Sequence, residues 1–237
     1  MRLREHLHDY LRATVLNNKF LAKLLGKESF GLNNLDLKLS TIMNLENGFY
    51  IELGANDGIS QSNTKMLELF KGWHGILIEP SPKKFKSLRK NRSRENCFFN
   101  CACVSFQYKK NTIDLIYSNL MTVALDGEND LPSRLEHAGL GKQFLNYDQI
   151  ETFTSEARTL QSIIDEAGAP AVIDFLSLDV EGGEIEVLKG IDFEKNKFRY
   201  LLIETRSIEK VTRFLESKNM ILDSQLSHHD YFFKALA

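Results

Sequence analysis

The spacing of hydrophobic and polar positions changes once along the chain. From Leu3 to Leu25 apolar residues recur near helical spacing, and the run ends at Gly26, which predicts one or two amphipathic helices. From residue 49 onward, short apolar runs alternate with stretches of helical periodicity, a pattern typical of β-α units around a largely parallel sheet. We therefore predict a helical arm over residues 1–47 and one α/β domain over residues 48–237.

The same alternation locates the elements of the domain. The segment 105–158 fits no simple β-α unit, and we expect it to form a substrate-side cap that contains a strand at 112–117. The apolar runs predict seven strands, at 49–53, 75–79, 97–104, 174–179, 200–204, 221–227 and 231–235. The stretches between them predict helices near 61–71, 82–94, 159–168, 183–189 and 208–218.

The last two predicted strands are joined only by residues 227–230. Because a parallel crossover needs about a dozen residues or more, these two strands should form an antiparallel hairpin at the C-terminal edge of the sheet. The predicted fold is therefore a mostly parallel, Rossmann-like sheet of seven strands that ends in an antiparallel hairpin strand.

Composition and charge narrow the range of partners. The 237 residues include 30 basic and 32 acidic side chains, with a formal net charge of -2, so we expect no nucleic-acid partner. The N-terminus is interrupted by charge and no apolar run reaches about 18 residues, which favours a cytoplasmic protein with no transmembrane segment. The helical arm is expected to dock on the domain, with a second subunit of a homo-oligomer or a membrane surface as alternatives.

Three cysteines, Cys97, Cys101 and Cys103, fall in one predicted strand. Their spacing places them on the same strand face. No histidine lies nearby to complete a zinc site, so we expect free thiols that act as small apolar side chains.

The junction after the first predicted strand favours a cofactor site. The strand contains Glu52 and breaks at Gly54, Gly58 follows, and a helix begins near Ser62. Glycines at such a junction let a ligand approach the backbone, at the strand ends where open α/β sheets bind their ligands. Glu79 closes the second strand, and an acidic residue about 20 positions downstream can accept hydrogen bonds from the ribose hydroxyls of an adenosine-bearing cofactor.

The same loop distinguishes between cofactors. A dinucleotide requires Gly-x-Gly-x-x-Gly, but Asn56 stands at the middle glycine, so a pyrophosphate is disfavoured. S-adenosylmethionine carries a sulfonium and an amino-acid tail instead. Glu52, Asn56 and Asp57 offer carboxylate and amide groups suited to such a cofactor.

Acidic residues also end the later strands. Asp179 and Glu204 close two neighbouring predicted strands, so their carboxyl groups should meet at one crevice. They are candidates for accepting the acceptor's proton and, as oxygen ligands, for binding Mg²⁺. His229 in the hairpin turn is a further candidate base, because the pKa of histidine lies near operating pH. Glu184 is expected to supply a favourable charge at a helix N-terminus.

Taken together, three motifs resemble the FkbM-type methyltransferases. They are ELGANDG at 52–58, GWHGILIEP at 72–80, and FLSLDVEG at 175–182 with VLKG at 187–190, and the match covers about residues 48–235. The resemblance implies a class I methyltransferase fold whose seventh strand is antiparallel, S-adenosylmethionine as the donor, and O-methylation of a hydroxyl on a sugar or small natural product. By motif position it implies that Gly54, Asn56, Asp57 and Gly58 contact the methionine part of the cofactor, Glu79 the ribose, and Cys101 with Ala102 the adenine edge. The expected cofactor set also includes Glu52, Ser62, Pro80 and Asp179.

Two other classes of function share this sheet. A nucleotide- or NAD-linked oxidoreductase would bind NADH but not S-adenosylhomocysteine. A non-catalytic scaffold descended from a methyltransferase would keep Glu79 and show no turnover. Candidates for acceptor specificity lie in the cap segment, at Tyr108, Tyr117, Met121, Arg134, His137 and Tyr147.

Overall fold

The computed structural model describes residues 18–117, 123–124 and 151–236. Its strands are β1 (Phe49–Leu53), β2 (His74–Ile78), β3 (Cys97–Phe99), β4 (Cys101–Val104), β5 (Thr112–Tyr117), β6 (Val123–Ala124), β7 (Glu151–Thr159), β8 (Val172–Leu178), β9 (Lys197–Glu204), β10 (Met220–Gln225) and β11 (Asp230–Ala235). Its α-helices are α1 (Lys19–Leu24), α2 (Leu35–Met43), α3 (Lys65–Lys71), α4 (Pro82–Asn91), α5 (Leu160–Glu166), α6 (Glu184–Leu188) and α7 (Ile208–Glu216).

Seven strands form the central sheet, in the order β3-β2-β1-β8-β9-β11-β10. The pairs from β3 to β9 are parallel, whereas β11 runs antiparallel to both β9 and β10. The connection 226–229 between β10 and β11 is too short for a parallel crossover. The predicted fold class and hairpin are therefore confirmed, and the structure adds that β11 is inserted inside the sheet while β10 forms its edge.

Apolar side chains fill a core on each face of this sheet. Tyr50 of β1 packs on one face with Trp73 and Phe175, and Ile51 packs on the other face with Leu176. All five side chains are buried. Parallel strands covered on both faces have almost continuous apolar sequences, which explains why the bounds of β1 agree with the prediction.

The described part of the N-terminal arm packs on the domain. Helix α2 buries Leu35, Leu39 and Met43 in the same core as Tyr50. In α1, Ala22 is buried. The arm therefore contacts the domain as expected, although the sequence pattern did not predict α2. None of the helices in the described ranges has the length and hydropathy that crossing a membrane requires.

A second sheet, in the order β4-β7-β5-β6, stands beside the first. The predicted continuous strand 97–104 is wrong at Asn100, where the chain passes from β3 in the first sheet to β4 in the second. The side-chain amide of Asn100 donates to the carbonyl oxygens of Glu79 at 2.8 Å and Pro80 at 3.0 Å, which ties this break to the end of β2. The predicted strand at 112–117 is confirmed as β5, and β7 was not predicted.

A buried ionic network connects β1, α3 and the end of α4. Arg92, whose side chain is fully buried, donates to the carboxylates of Glu52 at 3.1 Å and Glu68 at 2.8 Å and to the hydroxyl of Tyr50 at 2.7 Å. Burial raises the pKa of Glu68, but Arg92 and Lys65 outweigh it and hold that pKa at about 2. The network keeps the Glu68 carboxylate ionised beneath the loop that follows β1.

Replacing Arg92 should be strongly destabilising. Arg92→Met would leave the carboxylates of Glu52 and Glu68 buried without their main cation, and such a loss costs about 3–5 kcal/mol of unfolding free energy. Urea unfolding would measure the change. The control is Arg89→Met on the exposed side of α4, which should change stability by about 0.5 kcal/mol or less. Equal effects of the two substitutions would contradict the role given to the network.

Candidate functional site

A cleft of about 1100 Å³, counted with the solvent at its mouth, lies between the two sheets. Leu53, Ile78 and Leu178 pair in register at the carboxyl ends of β1, β2 and β8. The residues that follow these three ends line the cleft. This is the edge at which open α/β sheets bind their ligands.

The loop after β1 comes very close to the chain that follows β8. Gly54 has a φ of +75°, and a Cβ added there would lie 2.1 Å from the carbonyl oxygen of Asp179. Only glycine fits this position, because it alone has no Cβ and readily adopts positive φ. Gly54 thus brings the ends of β1 and β8 together at the floor of the cleft.

Asn56 presents an unpaired amide to the cleft. Its backbone has a φ of 49°, and its N–H donates to Glu79 Oε2 at 2.9 Å. The side chain is only 6% exposed, and neither Oδ1 nor Nδ2 has a hydrogen-bond partner among the described residues. A buried amide without partners is costly in free energy, so this position suits a group that none of the described residues supplies.

Glu79 stands at the end of β2 with both carboxylate oxygens held. Oε2 accepts the Asn56 N–H, and Oε1 accepts the backbone N–H of Ser81 at 2.8 Å. Burial raises the pKa of Glu79 to about 7. Each carboxylate oxygen has a further lone pair, so the group can accept two more hydrogen bonds from a ligand in the cleft.

The other residues predicted near this loop make hydrogen bonds within it. Ser62, Thr64 and the Asn63 N–H donate to the Glu52 carboxylate at 2.7–3.1 Å. Asp57 accepts from Ser60 and from the Ile59 N–H, which lowers its pKa although burial would raise it. The predicted cofactor residues that do not line the cleft are Glu52, Asp57, Gly58 and Ser62, and those that do are Gly54, Asn56, Glu79, Pro80, Cys101, Ala102 and Asp179.

The second sheet supplies an apolar wall that the sequence analysis missed. Val104, Ile113 and Leu115 line the cleft, and so does Tyr108, which was predicted as a candidate for acceptor specificity. Ile113 and Leu115 alternate with exposed Thr112 and Asp114 along β5, and this period of two could have identified the buried face. Ser60, Gln61 and Glu181 also line the cleft without having been predicted there. Of the cap residues predicted for specificity, Met121, Arg134, His137 and Tyr147 lie outside the described residues, as does the side chain of Tyr117.

Cys101 and Cys103 both face the cleft, and all three cysteines are free. A hydrogen bond with Cys101 and burial raise the pKa of the Cys103 thiol. The Cys103 thiol is therefore protonated at neutral pH. Cys97, which was expected on the same strand face, belongs to β3 in the other sheet.

A smaller acidic cavity, of about 300 Å³ counted in the same way, adjoins the cleft at Asp179 and Glu181. Glu204, Arg206 and His229 also line it, so the three predicted catalytic residues lie together. The side chains of Asp179 and Glu204 are hydrogen-bonded to each other. Burial and repulsion from Glu204 raise the pKa of Asp179 well above its usual range. Burial and repulsion from Asp230 and Glu181 raise the pKa of Glu204 to about 7, although the hydrogen bond with Asp179 lowers it.

His229 faces this pair of carboxyl groups from the turn between β10 and β11. Its backbone carbonyl accepts the N–H of Thr205 at 2.9 Å, which holds the turn against the end of β9. Its ring lies 4.3 Å from that of His228. Burial and the neighbouring His228 and Arg206 lower the pKa of His229, so its imidazole is neutral and able to accept a proton at neutral pH.

The carboxyl groups do not form a metal site within the described residues. No group of three or more His, Cys, Asp or Glu side chains is arranged there to hold an ion. Mg²⁺ binds in near-ideal octahedral geometry to ionised oxygen ligands, whereas Asp179 and Glu204 are held together through a hydrogen bond between them. The predicted Mg²⁺ does not fit this pair, and no chemical step is derived through a metal.

The inserted antiparallel strand, and a cleft at the ends of β1, β2 and β8, define the class of Rossmann-like methyltransferases. The family model described as "Methyltransferase FkbM domain" matches residues 52–233. The chain belongs to this FkbM methyltransferase family. Comparison with curated protein sequences gave no match.

Several solved methyltransferase structures are similar to the chain. The METTL16 methyltransferase domain is 11% identical with a TM-score of 0.42, and the alignment covers 85% of this chain and 66% of that one. Precorrin-6y C5,15-methyltransferase from Geobacter metallireducens is 12% identical with a TM-score of 0.40, covering 85% of each chain. A putative RNA methyltransferase from Pyrococcus horikoshii is 10% identical with a TM-score of 0.40, covering 86% of this chain and 83% of that one.

The contact at Gly54 gives a test of the cleft floor. Gly54→Ala would add a steric clash with the Asp179 carbonyl to the strain of positive φ, at a cost of about 2–5 kcal/mol in unfolding free energy. Gly168→Ala is a matched control, because Gly168 has a φ of +61° and a Cβ there would meet nothing within 4 Å. The control should cost about 1–2 kcal/mol from strain alone. Equal losses in thermal or urea unfolding would mean that the close approach at Gly54 is unimportant.

Proposed function

We propose that the protein transfers a methyl group from S-adenosylmethionine to a hydroxyl oxygen of a sugar or small natural product. The observation that carries the proposal is the unpaired amide of Asn56, buried beside the Glu79 carboxylate in the cleft. The Glu79 carboxylate accepts hydrogen bonds, as the ribose hydroxyls of this cofactor require. The Asn56 amide can both accept and donate them, as the amino-acid end requires. Family membership supports methyl transfer.

The residues of the cleft suit the parts of the cofactor. Glu79 would accept hydrogen bonds from the two ribose hydroxyls, and Asn56 would pair with the amino-acid tail. Pro80, Cys101 and Ala102 would hold the adenine from the apolar side of the cleft. Glu52, Asp57, Gly58 and Ser62 would act by positioning, since they fix the loop that carries Gly54 and Asn56.

The cofactor, when bound, supplies an electrophilic methyl group on a sulfonium. The protein must then align the acceptor hydroxyl and take up its proton. Asp179 and Glu204 form a carboxyl pair, and its ionised member is the first candidate to accept this proton. Burial and nearby carboxyl groups raise the pKa of Asp179 and bring that of Glu204 to about 7. Neutral His229 is the second candidate. The proposal needs no metal ion.

The class of acceptor, the cellular location and the oligomeric state are predictions. We expect a small-molecule or sugar acceptor between the acidic cavity and the wall formed by β4 and β5, with specificity from the segment 105–158. We also expect a cytoplasmic protein, with the N-terminal helices as the surface for a homo-oligomer.

Cofactor binding should depend on pH through Glu79. The carboxyl must lose its proton to accept from both ribose hydroxyls, and its pKa is about 7, so affinity for S-adenosylhomocysteine should rise as pH rises from about 6 to about 8. Glu79→Gln should weaken binding by about 10- to 100-fold and remove most of the pH dependence. Calorimetry on both proteins would measure this. Binding of NADH but not S-adenosylhomocysteine would support an oxidoreductase instead.

Turnover should depend on Asp179. With an acceptor pool and radiolabelled cofactor, Asp179→Asn should lower kcat by about 10²- to 10⁴-fold, the usual range for general acid–base catalysis, because it breaks up the carboxyl pair that takes up the proton. Asp174→Asn is the control, since Asp174 lies near the N-terminal end of β8, whereas Asp179 follows the opposite end of this strand at the cleft. A normal rate for Asp179→Asn would remove this residue from the mechanism. Cofactor binding without turnover in the unaltered protein would indicate a non-catalytic scaffold.

A further inference from the structure

The acidic cavity contains one carboxyl group for which the proposed reaction has no use. Glu184 lies in the first turn of α6, and its side chain is only 1% exposed. One oxygen, Oε1, accepts the backbone N–H of Gly182 at 2.8 Å. The other, Oε2, is buried without a hydrogen-bond partner among the described residues. The expected role at a helix N-terminus therefore accounts for only one of the two oxygens.

The surroundings of Glu184 carry an excess of negative groups. Asp179, Glu181, Glu184 and Glu204 all line the cavity, and Arg206 is the one permanently charged cation in the described lining. Burial raises the pKa of Glu184 to about 7, and the neighbouring Glu181 raises it further. Ionising Glu184 among these carboxyl groups is unfavourable, and a positively charged donor that completes the site would favour its ionised, accepting form.

We propose that this cavity binds the protonated amine of the acceptor, with Glu184 as a specificity residue. The inference rests on the proposed function, because the cavity adjoins the cleft at Asp179 and Glu181, where the acceptor would meet the methyl group. An alkylammonium offers three hydrogen-bond donors and no acceptor, which complements carboxyl oxygens. The acceptor class is therefore an amino alcohol or amino sugar, whose hydroxyl is methylated while its ammonium group is held by Glu184.

The charge pattern also explains why the occupant is an ammonium group and not a neutral sugar hydroxyl. A hydroxyl could pair with Glu184 Oε2, but it would bring no positive charge to a lining that also contains Asp179 and Glu204. A divalent ion would bring positive charge, yet the described residues hold no group of three or more ligands arranged to bind one. An ammonium group needs only hydrogen bonds and places no such demand on ligand geometry.

The test compares two probes of nearly equal shape, serinol and glycerol, which differ by an ammonium group in place of a hydroxyl. Each is titrated by NMR into the full-length protein saturated with S-adenosylhomocysteine. Serinol should bind about tenfold more tightly than glycerol, as a charge-assisted hydrogen bond implies. Glu184→Gln should remove this preference and leave the affinity for S-adenosylhomocysteine unchanged, which also verifies that the variant is folded.

The matched control is Glu194→Gln, which makes the same change in net charge at a side chain that is 90% exposed; it should keep the preference for serinol. Equal binding of serinol and glycerol to the unaltered protein overturns the inference, and so does an unchanged preference in Glu184→Gln. Displacement of serinol by stoichiometric MgCl₂ overturns it in favour of a metal site. Failure to bind S-adenosylhomocysteine defeats the proposed function, whereas cofactor binding without preference for serinol defeats this inference alone.

Discussion

The contact between Gly54 and the carbonyl oxygen of Asp179 is the constraint on which the site depends. It holds the loops after β1 and β8 at a distance that no side chain would allow. Asn56 and Glu79 line the cleft beside this contact. The carboxyl pair of Asp179 and Glu204 lines the adjoining acidic cavity. A small widening here would separate the groups assigned to the cofactor from those assigned to the acceptor, so the buried network around Arg92 serves function by keeping the loop rigid.

The sequence predicted the central sheet well for a physical reason. Strands buried on both faces leave strong apolar runs, and the short connection before Asp230 determined the direction of β11. The second sheet left a weaker signal. Strand β7 reads ETFTSEART, in which Phe153 and Ala157 supply the apolar packing for a single covered face, so its polar majority looked like a loop.

The site residues were predicted by type more accurately than by role. Motif position brought Glu52, Asp57 and Ser62 into the predicted cofactor set, but their hydrogen bonds are directed into the loop itself. Nothing in a linear sequence distinguishes a carboxylate that faces a ligand from one that faces Arg92, because the difference depends on which helix packs beneath it. The unpaired atoms of Asn56 and Glu184 were likewise evident only once their neighbours in space were known.

The order of the strands along the chain separates the formation of the two parts of the site. Asp230 pairs in register with Glu204, and the turn before it carries His229, so the end of β9 and the turn that lines the acidic cavity come from one stretch of sequence. The cofactor cleft instead needs β1 to pair with β8, from Tyr50 with Phe175 to Leu53 with Leu178, across the whole segment that holds the second sheet. Because non-local pairings form slowly, a partly folded chain would hold β9, β10 and β11 together before it has a cleft, and binding competence would be limited by the pairing of β1 with β8.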